Sequence, residues 1–498
     1  MMTGATGLLS TGGRGAFMKL PRSSTLARVP PALHHDRAHR ARAATSSITP
    51  RFMPIHRSTR AIPHLTRYTA AALIALAVVP AAAAQTATAD ADIQRRVVAV
   101  TPKVVAWRRD IHQNPELGNR EVRTGKLVAD HLRSLGLEVQ TGVAKTGVVA
   151  ILRGALPGPV VALRADMDAL PVTERVDLPF ASRVTTQYNG QTVGVMHACG
   201  HDNHVAILMG AAEVLAGMRA QLPGTVKFIF QPAEEGPPAG EEGGAKLMLK
   251  EGVFDNPKPE AIFGLHVGVN PAPTGTISYR PLGTMAASDA LRIVVRGRQT
   301  HGAVPWSGVD PIVASAQIVQ GLQTIASRQS NLTTAPVVVT IGSINGGLRG
   351  NIIPDSVVMV GTIRTLDKDM RTDVHTRIRR TAELIAQSAG ATAQVTIDAG
   401  TLITYNDPAL TERMLPSLRR AAGNDRVQLV PPTMGAEDFS EFQQRVPGLF
   451  VFLGVVPAGQ DLSTVAPNHS PLFFADEGAL PVGVRTMTQL VVDYLARR

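Results

Sequence analysis

The 498-residue chain has a single cysteine, Cys199. That excludes a disulfide scaffold and any zinc module built on paired CxxC ligands. Past residue 84, no stretch free of charge, proline and glycine approaches the ~20 apolar residues of a membrane-spanning helix. Internal repeats and low-complexity segments are also missing from residues 85–498. A distributed excess of positive charge is missing as well. The formal net charge is +11, but residues 1–84 hold eleven basic side chains against one acid, Asp36. The remainder stands near +1, which leaves no electrostatic footprint for DNA or RNA. What is present is 44% hydrophobic residues, enough to exclude global disorder. The length suggests roughly three domains of ~150 residues, or two larger ones.

Residues 1–84 read as a leader. Arg57, Arg60 and Arg67 precede an apolar run at about residues 69–79, and Pro80 and the small residues Ala81 to Ala84 follow. This is the order of a charged segment, a short apolar segment and a signal-peptidase site. Cleavage is expected after Ala84, giving a periplasmic or secreted protein with no stable membrane anchor. Residues 1–52 are rich in Arg, Ser and Pro and have no hydrophobic period. A translation start at Met53 would give a leader of ordinary length, and that start is expected.

Beyond a polar linker at 86–92, helices are expected over 93–112 and 121–135, and a third over 204–218. Short apolar runs bounded by turn residues mark strands at 148–152, 160–164, 225–231, 261–266 and 449–455. This alternation predicts an α/β domain with a mostly parallel sheet, assembled from 93–284 and 399–498. Residues 285–398 read as a separate unit. Strand, helix, strand, strand, helix, strand follow in the ferredoxin-like β-α-β-β-α-β order. Its first helix is expected to bury Ile312, Ala316, Val319 and Leu322. Insertion of this unit between the two halves of the α/β domain is the simplest arrangement.

The chemistry concentrates in five places. The densest is Met196-His197-Ala198-Cys199-Gly200-His201-Asp202-Asn203-His204. Imidazole and thiolate are ligands for borderline-soft divalent ions such as zinc, although spacing leaves open which of the three histidines bind. The second is Glu234-Glu235 after a strand, where one carboxylate can bind metal and the other can carry a proton. Glu241 and Glu242, a similar pair in a Pro/Gly-rich loop, are expected to be solvated. The third is Asp166-Met167-Asp168 at another strand end, in a metal-binding or supporting role. His266 and His469 complete the set. All lie at or beyond the carboxyl ends of predicted parallel strands, where open α/β sheets bind ligands. Convergence there implies a metal centre, plausibly of two ions, with a separate carboxylate base.

In these motifs the chain resembles the amidohydrolase branch of the di-metal aminoacylase/carboxypeptidase (M20-type) family, from Trp107-Arg108-Arg109-Asp110-Ile111-His112 to Asn468-His469-Ser470-Pro471. The resemblance implies a di-metal hydrolase domain with an inserted lid and dimerisation domain. It implies Cys199, His201, Glu235, His266 and His469 as ligands of two divalent ions, zinc or manganese first and cobalt or nickel as alternatives. It implies Glu234 as general base and acid, and Asp168 as the aspartate supporting the metals. Asp166 stands where the wider family has a metal-binding histidine. His301 and Asn351 match residues that hold substrate or its oxyanion, often across a homodimer. Glu437, in Met434-Gly435-Ala436-Glu437-Asp438-Phe439, lies in a family motif with no role readable from sequence. The implied activity is hydrolysis of a small N-acyl amino acid, hippurate-like or N-acetyl. A carboxypeptidase or dipeptidase is the alternative on the same scaffold. A non-catalytic periplasmic ligand-binding protein is the alternative of another class.

Overall fold

A computed structural model describes residues 68–496. The readings of residues 1–67, the Met53 start included, lie outside the described residues. No helix among the described residues is long and apolar enough to cross a membrane.

The first helix, Tyr68–Gln113, runs straight through the expected linker at 86–92. Two causes are local. Ala87, Ala89 and Ala91 have the highest helix propensity. Asp92 accepts from Arg95 at 2.7 Å and Arg96 at 2.9 Å, one turn ahead. A third is tertiary, because Gln489 Nε2 donates to Asp90 Oδ1 at 3.0 Å. Further along, Ile93, Val97, Val100, Val104 and Ile111 form one fully buried stripe at helical spacing. The second helix is Val122–Ser134.

The central sheet has eight strands. Strands Pro223–Gln231, Leu156–Asp166, Ala261–Val267 and Gly448–Leu453 lie side by side and parallel. Their residues are nearly all buried, as parallel strands covered on both faces require. Both edges are extended through antiparallel pairing, by Gly147–Arg153 and then Glu138–Val143 on one side and by Ile277–Tyr279 on the other, where Val427–Leu429 pairs parallel to it. Helix His201–Gly217 is buried almost all round, and helix Leu480–Leu495 packs against it over the sheet.

Residues 287–401 form the second sheet, with strand order Val337–Asn345, Ser356–Thr365, Ala287–Arg296, Thr392–Thr401, all antiparallel. With helices Pro311–Thr324 and Lys368–Ser388 it has the expected β-α-β-β-α-β order and its own apolar core.

The expected face of its first helix is wrong. Of Ile312, Ala316, Val319 and Leu322, only Leu322 is buried. The buried stripe is Pro311, Ala314, Ser315, Ile318 and Leu322. Asp310 caps the helix, accepting from Ile312 N at 2.8 Å, and Pro311 starts it. The stripe is thereby rotated by one residue, about 100°. Apolar residues on both faces made the period ambiguous, and Ile312 and Val313 are left exposed.

Candidate metal centre

The parallel strands end at one edge, and the chemistry collects there. Leu156–Asp166 ends on Asp166 and leads into Asp168. Pro223–Gln231 leads into Glu234 and Glu235. Ala261–Val267 carries His266, and Gly448–Leu453 precedes the loop bearing His469. Helix His201–Gly217 starts three residues earlier than expected. Its first residue is therefore His201, on the edge of the sheet. The preceding Gly200 has φ +92°, and a Cβ there would lie 2.4 Å from the Val267 side chain, so only glycine fits.

The turn 233–235 is held from below. Ala233 has φ +50°, unusual for a residue with a Cβ. Its N–H donates to Glu121 Oε1 at 2.8 Å. The next two amides donate to the two oxygens of Asp168, Glu234 N at 3.1 Å and Glu235 N at 3.0 Å. Glu121 Oε2 in turn accepts from Thr146 Oγ1 at 2.5 Å. Burial and the nearby Asp168 push the Glu121 carboxyl up to about 7. Glu121 was missed from sequence, since a glutamate opening a helix looks like an ordinary capping residue.

The expected ligand residues come together. Cys199 Sγ is 3.4 Å from His266 Nε2, and His469 Nε2 is 2.9 Å from Glu235 Oε1. Ligand atoms of Cys199, His201 and Glu235 lie within 4.8 Å of one another, and those of Asp166, His201, His204 and His266 do likewise. His201 Nε2 is buried and makes no hydrogen bond. Its Nδ1 lies 3.3 Å from Asp168 Oδ1.

The structure also separates the three histidines of the 196–204 motif. His204 Nε2 accepts from Val267 N at 2.9 Å, so its Nδ1 carries the proton and donates to Asp166 Oδ1. Both nitrogens are thus engaged, and no lone pair is left for a metal. His197 is fully buried beside His112, at 6.5 Å between ring centres, and burial pushes it down to about 3. His197 and His201 both have ring nitrogens without hydrogen bonds, but of the two only His201 has ligand atoms close to those of Cys199, Glu235 and His266.

The electrostatics fit a divalent cation. Burial, with Glu235 and Glu234 next, raises the Cys199 thiol well above its usual range. A thiolate there requires a positive partner. Burial opposes a charge on His201, but Asp166 and Asp168 outweigh it and push that histidine up to about 10. The pocket of carboxylates therefore attracts positive charge, which a metal supplies without a proton. His266 is held neutral by burial and by His204, with a lone pair to offer. Burial and the carboxylates of Glu437 and Glu235 raise Glu234 well above the ordinary range. That suits a group that must both accept and release a proton.

Behind the site lies Arg164, 2% exposed, which sequence reading passed over as the end of a strand. Its Nη1 donates to Asp166 Oδ2 at 2.7 Å, and its Nη2 to Glu437 Oε1 at 2.9 Å and Asp438 Oδ1 at 3.0 Å. Glu437 thereby gains a structural place. It accepts from Arg164 and from Phe439 N at 2.9 Å. Glu241 departs from expectation. Its carboxylate binds Arg120, Lys145 and Asn119 instead of water alone.

His301 and Asn351 are brought together, with Gly302 N donating to Asn351 O at 2.8 Å. Both are exposed on the inserted unit, and neither lines the cleft that contains Cys199, Glu234 and His469.

Residues 162–493 match the peptidase family M20/M25/M40. The chain is 41% identical over 393 residues to thermostable carboxypeptidase 2 of Saccharolobus solfataricus, covering 78% of this chain and 95% of that protein. It is 39% identical over 397 residues to an N-acetylcysteine deacetylase of Bacillus subtilis, covering 79% and 97%. Among solved structures, it is similar to the Bacillus subtilis YXEP protein, described as a dinuclear metal-binding peptidase of the M20 family. The TM-score is 0.66 at 37% identity, over 80% of this chain and 99% of that one.

Removing the buried cation gives a pH-dependent test. Arg164 helps hold Asp166 well below the usual carboxylate range, so its stabilisation is present above that range and lost on acidification. Arg164→Met is expected to cost roughly 3–5 kcal/mol at pH 8, because it leaves buried carboxylates unpaired. In denaturant melts the deficit against wild type should shrink as pH falls and those carboxylates take up protons. A deficit independent of pH would mean that Arg164 acts through packing alone.

Proposed function

The chain belongs to peptidase family M20/M25/M40 and is a metal-dependent amidohydrolase or peptidase; we propose that it cleaves the amide bond of N-acyl amino acids. The observation that carries this reading is Arg364. A cleft of 460 Å³ is lined by Cys199, Glu234, Glu235, His266 and His469, and also by Ser288, Arg364 and Thr401 of the inserted unit. Among the described residues lining it, Arg364 alone bears a fixed positive charge. A guanidinium in a metal-site cleft suits a carboxylate, and an N-acyl amino acid carries one a single carbon from the amide nitrogen. Two relatives support the same chemistry. One is named for deacetylating an acetylated amino acid and the other for carboxypeptidase action, and both substrates carry a free carboxylate beside the amide.

Cys199, His201, Glu235, His266 and His469 are the residues that would hold two divalent ions, zinc or manganese in the first place. When bound, the ions supply Lewis acidity toward an amide carbonyl and lower the pKa of a water. Glu234 takes the proton of the attacking water at a carboxylate oxygen and hands it to the departing amine nitrogen. Its Oε1 accepts from Asp438 N at 3.3 Å, and no lysine or arginine among the described residues pairs with it. Asp168 acts through the turn it anchors, fixing the backbone from which Glu234 and Glu235 project. The products are a carboxylic acid and an amino acid.

The same cleft serves a carboxypeptidase acting on short peptides, and the 41% identity to a carboxypeptidase favours keeping that second reading. His301 and Asn351 complete the site of a second copy in a homodimer formed through the inserted unit. Exposed Ile312, Ile344 and Leu348 on that unit support such a surface. The leader over residues 1–84 supports export to the periplasm or medium.

Mature protein stripped with a chelator should release no amine from N-acetyl, N-benzoyl or dipeptide substrates, and Zn²⁺ or Mn²⁺ should restore release. Glu234→Gln should keep its metal content and lose roughly 10²–10⁴-fold in kcat. Undiminished turnover in that variant would remove Glu234 from the chemistry. Arg364→Gln should raise KM roughly 10–100-fold for a carboxylate substrate and far less for its carboxamide. An equal effect on both would argue against carboxylate recognition.

A further inference from the structure

A second cavity, of 660 Å³, is lined by Asp168 and by Glu235, which also lines the cleft. Leu117, Leu170, Pro171, Val184, Val195 and Pro237 give it an apolar stretch of wall beside polar and charged side chains. Its size falls within the ~300–1,000 Å³ range of small-molecule sites, far more than a methyl group needs.

Apart from Glu235, which faces His469 Nε2 at 2.9 Å and belongs to the proposed metal ligand set, the charged groups along this wall and the Gln187 amide are engaged by the protein. Glu116 accepts from Arg123 N at 2.9 Å and Thr124 N at 2.8 Å. Arg120 pairs with Glu241 at 2.5 Å. The Asp168 oxygens accept the amides of Glu234 and Glu235. Gln187 is tied to Thr192 Oγ1 at 2.7 Å. What remains to meet a ligand is apolar surface with a few hydroxyl and amide groups. The two spaces that share Glu235 thus differ in kind, since one offers the cation Arg364 and the other offers no uncommitted cation.

We propose that this second cavity receives the acyl group of the substrate, and that the group is neutral, apolar and larger than acetyl. This rests on the reading of the enzyme as an N-acyl amino acid hydrolase and fixes the direction in which the substrate lies. The amino-acid carboxylate goes toward Arg364, the amide sits at the metal ligands, and an alkyl chain or aromatic ring enters between Leu170 and Val184.

The test is a series of N-acyl derivatives of one amino acid, from acetyl through butyryl and hexanoyl to octanoyl and benzoyl, with the metal-loaded enzyme. Each added methylene should raise kcat/KM by up to about fourfold until the cavity is full, the equivalent of about 0.8 kcal/mol per buried methylene. Val184→Phe should lower the octanoyl-to-acetyl ratio of kcat/KM at least tenfold, and Leu117→Phe serves as a second filling variant should the first not fold. A ratio unchanged in a folded filling variant, or wild-type rates indifferent to acyl size, would overturn the acyl cavity and leave the general function standing. Hydrolysis of no acyl amino acid in the series would overturn both.

Discussion

The two oxygens of Asp168 accept the backbone amides of Glu234 and Glu235, and the rest of the site depends on that pair of bonds. They join the ends of two neighbouring parallel strands. They leave no amide of the turn unmet, with Glu121 taking the third at Ala233. The same carboxylate lies beside His201 Nδ1, so His201 Nε2 is turned inward among the other ligand atoms. One side chain therefore orders the proton carrier, one carboxylate ligand and one histidine ligand. A left-handed turn with no glycine at its first residue is strained by itself. Three amide hydrogen bonds to buried carboxylates are what hold it.

That arrangement concentrates negative charge in a dry place. Asp166, Asp168, Glu121, Glu234, Glu235 and Glu437 are all buried or nearly so. Arg164 offsets part of this from behind, and cations held by the ligand residues would offset more of it. The thiol of Cys199 belongs to the same balance, because burial beside Glu235 and Glu234 raises it well above its usual range. Metal and fold are thus coupled through charge as well as through ligation. The cleft and the second cavity share Glu235 of this charged centre, and Arg364 lines the cleft alone.

Much of this was legible in the sequence. The strand ends carrying Asp166, Glu234, His266 and His469 stood out because apolar runs bounded by polar clusters mark buried strands. The β-α-β-β-α-β order of the inserted unit was readable for the same reason. Five things were not. The linker at 86–92 is helical because Gln489 anchors Asp90 from a distant helix. The buried face of helix Pro311–Thr324 is set by its cap and by the sheet it packs on, not by apolar content. Glu121 and Arg164 look like a helix-opening glutamate and a strand-end arginine until the turn and the carboxylates they serve are seen in space. Arg364 has no local signature, since its meaning comes from lining the same cleft as Cys199 and Glu234. The choice among His197, His201 and His204 likewise needed the third dimension. Only there does Val267 N bind His204, and only there does His201 rather than His197 lie among the other ligand atoms.

The most direct test is anomalous diffraction from crystals of residues 85–498 loaded with Zn²⁺ or Mn²⁺, recorded at the edge of the metal used. The account predicts two ions, bound by Cys199, His201, Glu235, His266 and His469, with His204 still bonded to Asp166 and Val267. A single ion, or ions held by His197 or His204 in place of His201, would contradict it.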